Sequence, residues 1–186
     1  MEQKTPTQIE EERKQLLAKG EISLWIDNYD DIFSDFDPRS YSQRALSDDF
    51  LIEAKKAVRE AKGVLILRFL VPTSVRNNQQ ESMIRRRLRE HFRKHHDNAE
   101  REMRGLVRNG ILLALGGFAL MLAAAFIAHA QRESFLSIFL TVLFEPAGWF
   151  MVWYGMDKIF YTAKEKRTEL DFYQKMSKVD IDFDSY

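Results

Sequence analysis

Glu145 is followed directly by Pro146 in the middle of an apolar stretch. A carboxylate at such a position is costly in a bilayer core, and where one occurs it marks an ion path, a proton relay or a counter-ion. At helical spacing Ser137, Thr141, Glu145, Gly148, Val152 and Gly155 fall within about a quarter-turn arc. A small, polar stripe therefore runs down one side, with Trp149, Phe150 and Trp153 on the rest. That stripe must face a partner span, another copy of the chain or water. Pro146 removes a helix hydrogen bond and is expected to kink or restart the helix. Two arrangements follow. In one, the span runs from about Phe135 to Met156 with Glu145 about ten residues from either end, near mid-bilayer. In the other, a helix restarts at Glu145 and runs to about Ala163, with 134–144 re-entrant or interfacial; this buries Asp157 and Lys158. A protonated, hydrogen-bonded Glu145 is purely structural. A ring of Glu145 carboxylates about a symmetry axis selects cations, and like charges at close range keep some members protonated. Two spans cannot enclose a pore, so a ring requires a homo-oligomer.

Other residues are candidates for different chemistry. Asp27, Asp30, Asp31, Asp35 and Asp37 offer oxygen ligands, with Asp35 and Asp37 the metal candidates, but EF-hand spacing and its glycine are absent. A solvated loop, or one paired with an arginine-rich helix, is the expectation. His91 and His95 stand one helical turn apart with His96 adjacent. That spacing suits a shared metal, but the glutamate of a zincin motif does not lie between them, so exposed histidines among arginines are expected. Arg85, Arg86, Arg87, Arg89 and Arg93 suit nucleic acid or lipid headgroups. A straight helix puts Arg85 about 35 Å from the first span, so lipid headgroup contact falls to Arg104 and Arg108, and no nucleic acid partner is expected. The chain has no cysteine, no glycine-rich phosphate loop, no nucleophile elbow and no triad pattern. Neither enzyme activity nor a cofactor is expected.

The elements that must position these residues can be read from pattern. Gly110 to Ala128 carries no charge, which exceeds the run expected of a buried soluble helix and suits a bilayer span. Gly110, Ala114, Gly117, Ala124 and Ala128 share a face of that span, as small residues do where membrane helices pack. Gln131-Arg132-Glu133-Ser134 separates it from the second span. Arg101, Arg104 and Arg108 precede the pair and Lys158, Lys164, Lys166 and Arg167 follow it, against Arg132 alone between. The bias predicts both termini in the cytoplasm, with a bacterial inner membrane the expected site and Trp153 and Tyr154 at the inner interface.

Upstream, Thr7-Gln8-Ile9-Glu10 fits a capping box and Gly20 a helix stop. Ile22–Ile26 reads as a strand and Asp27–Ser47 as a long loop. Ser47 caps a helix through Lys62, ended by Gly63, with Phe50, Ala54, Ala57, Val58 and Ala61 on its apolar face. Val64–Val71 reads as a buried strand parallel to the first. From about Asn78 a long helix carries Ile84, Leu88, Phe92, Ala99, Met103 and Leu106 in one stripe and continues to Ala130 without a clear breaker. Val179, Ile181 and Phe183 alternate with Lys178, Asp180, Asp182 and Asp184, which predicts a half-buried edge strand that completes the sheet.

In plan the hairpin is similar to the calcium uniporter family, which has two spans, a short outer connection and Glu-Pro followed by aromatics. Glu145-Pro146 and Trp149-Phe150 carry the resemblance. Val142 stands where that family has a further acid and Thr141 where it has a tryptophan, so the resemblance implies a cation-binding role for Glu145 alone. The whole chain also resembles uncharacterised bacterial two-span membrane proteins.

The expected fold is a small α/β cytoplasmic domain with a three-stranded sheet, a long stalk helix and a two-helix transmembrane hairpin. The divisions are an N-terminal helix over 1–20, the α/β domain over 21–78 plus 177–186, and the stalk over 79–109. The spans cover 110–130 and 135–156, and a cytoplasmic return helix covers 157–176. The expected function is a homo-oligomer that conducts or gates ions, with Glu145 at the constriction and Thr141, Ser137 and Gly148 beside it. The expected partners are the lipid bilayer, further copies of the chain and cations. The alternative is a membrane-anchored interaction or sensing protein, or a triggered membrane effector, whose hairpin only anchors and oligomerises.

Overall fold

The computed structural model describes residues 21–60, 66–130 and 134–186. The expected N-terminal helix, Lys62, Gly63, Val64 and the connection 131–133 lie outside the described residues. Within them the order is strand β1 (Glu21–Trp25), helix α1 (Asp48–Glu60), strand β2 (Ile66–Val71), helix α2 (Asn78–His129), helix α3 (Phe135–Asp157), helix α4 (Ala163–Met176) and strand β3 (Asp180–Ser185). The chain divides into two compact units, residues 1–96 with 171–186, and residues 97–170.

In the first unit β2 is central, and β1 and β3 both pair with it in parallel. The pairs Ile22↔Leu67↔Ile181 and Leu24↔Phe69↔Phe183 set the register. A parallel neighbour cannot be reached by a tight turn, and β3 reaches its place only after α2, α3 and α4 have been traversed. One sheet face carries the core. Ile22, Leu67, Phe69, Val71, Ile181 and Phe183 are buried with Phe50, Ala54, Ala57 and Val58 of α1, Ile84, Leu88 and Phe92 of α2, and Phe172, Tyr173 and Met176 of α4. Phe69 and Phe183 stack at 5.1 Å between ring centres.

Aspartates alternate with these apolar residues along β3, and the fold uses them. Arg68 of β2 pairs with Glu21 at 3.3 Å and Asp184 at 3.2 Å, while Arg85 and Arg89 of α2 reach Asp182 and Asp180 at 3.5 Å. The alternation that buries Ile181 and Phe183 thus also aims carboxylates at arginines. Such exposed pairs are worth little each, but they choose among registers, because a one-residue slip sends every side chain to the other face.

The loop expected over Asp27–Ser47 is more ordered than its composition suggests. It contains a 3₁₀ turn at Tyr29–Ile32 and a bridge between Phe33 and Leu46. Tyr29 is buried, and its hydroxyl donates to the buried Glu81 carboxylate at 2.9 Å while accepting from the Asn77 N–H at 2.9 Å. Arg76 supplies the countercharge to Glu81 at 2.6 Å. A buried carboxylate is tolerated when paired and hydrogen-bonded in this way.

In the second unit the later part of α2 runs beside α3 in an antiparallel hairpin, and the contact is made by glycines. A Cβ placed on Gly117 would lie 2.5 Å from the Gly148 carbonyl oxygen, and one on Gly148 would lie 2.7 Å from that of Gly117. Gly110 and Gly155 repeat the relation at 2.9 and 2.5 Å. Both contacts recur after seven residues on each helix, the period of a shallow left-handed crossing. α3 ends in a π-helical turn at Lys158–Thr162 and passes without interruption into α4.

The glycines divide sharply by surroundings. Gly105 has nothing within 4 Å of an added Cβ. Gly105→Ala should leave the thermal stability of the full-length protein in detergent unchanged or raise it, since alanine in an exposed helix gains about 0.5–1 kcal/mol over glycine. Gly117→Ala should lower it, because the methyl meets backbone that cannot yield. Equal melting temperatures for the two variants would show that the helices do not touch there.

Candidate functional site

α2 and the Phe135–Met176 rod are long and apolar enough to cross a membrane, and only 11% and 6% of their most apolar windows are buried. A soluble core helix would have most of that surface covered. Phe126, Phe135, Val142 and Phe150 are each at least two-thirds exposed. From Gly110 to His129 is about 30 Å at helix rise, and from Phe135 to Gly155 about the same, which matches a bilayer hydrocarbon core.

The paired glycines also level the two helices. Extended from Gly110–Gly155 and Gly117–Gly148, the register sets Arg108 level with Asp157. The last charge before the charge-free run of α2 thus lies level with the first charge on α3 after Glu145. Glu145 lies about 15 Å from either end of the apolar part of α3.

α3 turns one surface to α2. Gly148 and Gly155 are buried there, and Ser137, Thr141, Ala147, Met151 and Val152 are half-buried. Glu145 flanks that surface and is exposed, with exposed Ile138, Val142 and Trp149 around it. The polar arc read from the sequence is therefore divided. Ser137 and Thr141 are joined by a hydrogen bond in which the Thr141 hydroxyl donates to the Ser137 carbonyl at 3.0 Å. Gly148 lies against Gly117 and Met121. Glu145 alone stands on surface that α2 leaves uncovered. The helix does not restart at Glu145: α3 is continuous through Pro146, which leaves the Val142 carbonyl without its i+4 donor.

Of the small residues on α2, Gly110 and Gly117 are buried against Gly155 and Gly148, Ala114 approaches Gly155, Ala124 is buried, and Ala128 is exposed. The pairing of glycines across the hairpin escaped the sequence reading. Its signal was present in the seven-residue spacing of Gly110 and Gly117 and of Gly148 and Gly155.

The other candidates are largely engaged within the chain. Asp37 accepts from the Arg39 guanidinium at 2.8 and 2.7 Å and from the Ala45 N–H at 2.7 Å, and these bonds hold its carboxyl far below the usual range. Asp35 is exposed, 3.9 Å from Arg44, which also pairs with Asp30. Among the described residues no three acids or histidines are grouped to hold a metal. The loop acids pair with their own Arg39 and Arg44, while Arg87 donates to the Arg44 carbonyl at 3.1 Å. Arg85 lies over the Phe183 ring, and Arg86 pairs with Glu90. Toward the hairpin, Arg104 bonds Glu100, and Arg108 is exposed.

The histidines differ from the exposed set expected. His91 and His95 are half-buried, their rings 4.2 Å apart, with His95 stacked on Tyr173 at 5.2 Å. The cause is that this side of α2 meets Phe172 and Tyr173 at the end of α4, so the apolar stripe is wider than its aliphatic residues alone suggest. His91 Nε2 is buried without a hydrogen-bond partner. Burial, then the charges of His95, Arg87 and Lys94, push its pKa down to about 4.

No family model matches the chain, and neither a curated protein nor a solved structure matches it.

His91 is held neutral in the fold, so the unfolded chain binds the extra proton between about pH 6.5 and pH 4. Its contribution to stability is complete above pH 6.5 and is lost as the pH falls toward 4. The melting temperature of wild type should fall relative to that of His91→Gln as pH falls across this window. Parallel curves would assign the acid sensitivity to other groups.

Proposed function

We propose that this chain is an integral membrane protein whose hairpin assembles with further copies of itself and conducts or gates ions past Glu145. The single observation that carries the reading is the exposed carboxylate halfway along the apolar part of α3, on surface the chain's own α2 does not cover. Hydrocarbon cannot solvate a carboxylate, so something polar must meet it. Other copies of the same residue around an axis, with cations between, satisfy that need. The weak resemblance to the calcium uniporter family points the same way. Gly148 lies inside the hairpin contact, so the ion-facing surface centres on Glu145, with Thr141 and Ser137 beside the seam. The distribution of Lys and Arg puts both termini in the cytoplasm, with a bacterial inner membrane the natural location. Arg104 and Arg108 then stand in reach of headgroups. No enzymatic step is assigned to the chain.

A second reading has support of its own. Gly110–Gly155 and Gly117–Gly148 close the hairpin within a single chain, which is all an anchor needs. The α/β unit would then bind a partner, for sensing or as the trigger of a membrane effector, with the hairpin as its tether.

Purified protein in liposomes separates the two. Wild type should run as a homo-oligomer larger than a dimer and pass cations, and Glu145→Gln should cut the flux by about tenfold or more while the oligomer mass is kept. A monomer or dimer that passes no ions would leave the anchor reading in place.

A further inference from the structure

We propose that the Asp157 end of α3 binds the ammonium headgroup of a zwitterionic phospholipid. The inference rests on α2 and α3 being membrane spans, and it is independent of ion conduction.

The site is a groove of about 440 Å³ lined by Phe150, Trp153, Tyr154, Asp157, Phe160 and Tyr161. Along α3, Phe150, Trp153 and Tyr154 stand at i−7, i−4 and i−3 from Asp157, positions that share a helix face with it, and Phe160 and Tyr161 join the same groove from the turn that follows. The π-helical turn that begins at Lys158 widens the helix at this point and shifts the residues beyond it about the axis. Gly155 and Ile159, which approach Gly110, lie on the other side, so the groove opens away from the hairpin seam. Phe150 and Tyr161 are each 71% exposed and Trp153 is 61% exposed.

Aromatic rings at the end of a span are common, and anchoring at the interface accounts for them. It does not account for a carboxylate in the same groove. Beside lipid phosphates a lone carboxylate is repelled, and it needs a cation. Its neighbour Lys158 does not supply one: the Lys158 ammonium sits 4.8 Å from the centre of the Tyr154 ring, and among the described residues Asp157 forms no ion pair. A carboxylate that shares a groove with five aromatic side chains offers the chemistry that holds an alkylammonium group. The source follows from level and direction. The glycine register puts Asp157 level with Arg108, where the charge-free run ends, and the groove faces outward. The group that meets it there is a lipid headgroup carrying ethanolamine or choline. An anionic headgroup without an amine meets Asp157 with the wrong sign.

The test uses full-length protein in nanodiscs of equal phosphatidylethanolamine and phosphatidylglycerol, released into mild detergent and weighed with its retained lipid by native mass spectrometry. Wild type should retain the ethanolamine lipid over the glycerol lipid by about threefold or more, the worth of one or two cation–π contacts. Asp157→Asn and Trp153→Ala should each bring the ratio toward one, and Leu136→Ala, outside the groove, should leave it unchanged. A wild-type ratio of one, or a preference that survives Asp157→Asn, overturns the proposal. Displacement of the lipid by millimolar free ethanolamine would assign the groove to a soluble amine and overturn the lipid source. A preference seen only in a cross-linkable dimer would assign it to a second copy and overturn it likewise. Failure to enter the nanodisc at all would strike the membrane reading itself, and is scored separately by carbonate-resistant membrane association.

Discussion

Two helix backbones can touch only where side chains are absent from both. In the hairpin this condition is met twice, at Gly117 with Gly148 and at Gly110 with Gly155, seven residues apart on each helix. In hydrocarbon no hydrophobic drive brings helices together, so close packing and the backbone contacts it allows must do so. The register those contacts impose has consequences at every level of the hairpin. It sets Arg108 level with Asp157 and turns the seam side of α3 inward. It leaves Glu145 just outside the seam, where a carboxylate meets whatever lies beyond the chain.

The α/β unit rests on a different kind of constraint. Its third strand arrives only after the chain has run through both long helices, and it docks in parallel on β2. Parallel pairing demands a long connection, and here that connection includes the whole hairpin. The strand that completes the sheet therefore lies beyond the hairpin in the chain. The aspartates of β3 and the arginines of β2 and α2 then help to hold the last strand in register, and this engages Arg85 and Arg89 of a basic run that otherwise reads as an anion-binding stripe.

Several elements were legible because they depend on local pattern. The long charge-free run announced α2, and Ile181 and Phe183 alternating with aspartates announced β3. Ser47, followed by two acids in the first turn, marked the start of α1. The loop after β1 was less legible. Its aspartates were expected to be solvated or paired with the arginine-rich helix, and nothing local shows that Arg39 and Arg44 fold back onto them. His91 and His95 were expected to be exposed because Phe172 and Tyr173, which pack on Phe92 and His95, lie far along the chain. The candidate site divided in the same way: Glu145 stood out by its neighbours in sequence, whereas the loss of Gly148 to the seam required the partner helix.

The sequence by itself determined which segments are helix, strand or apolar run, and that an acid lies in the middle of one such run. Those properties follow from composition and period, which a linear chain carries intact. Tertiary structure alone decided which glycine meets which, which arginine answers which aspartate, and on which side of the seam Glu145 falls. Those are distances between residues remote in sequence, set by how close two backbones can come before atoms collide.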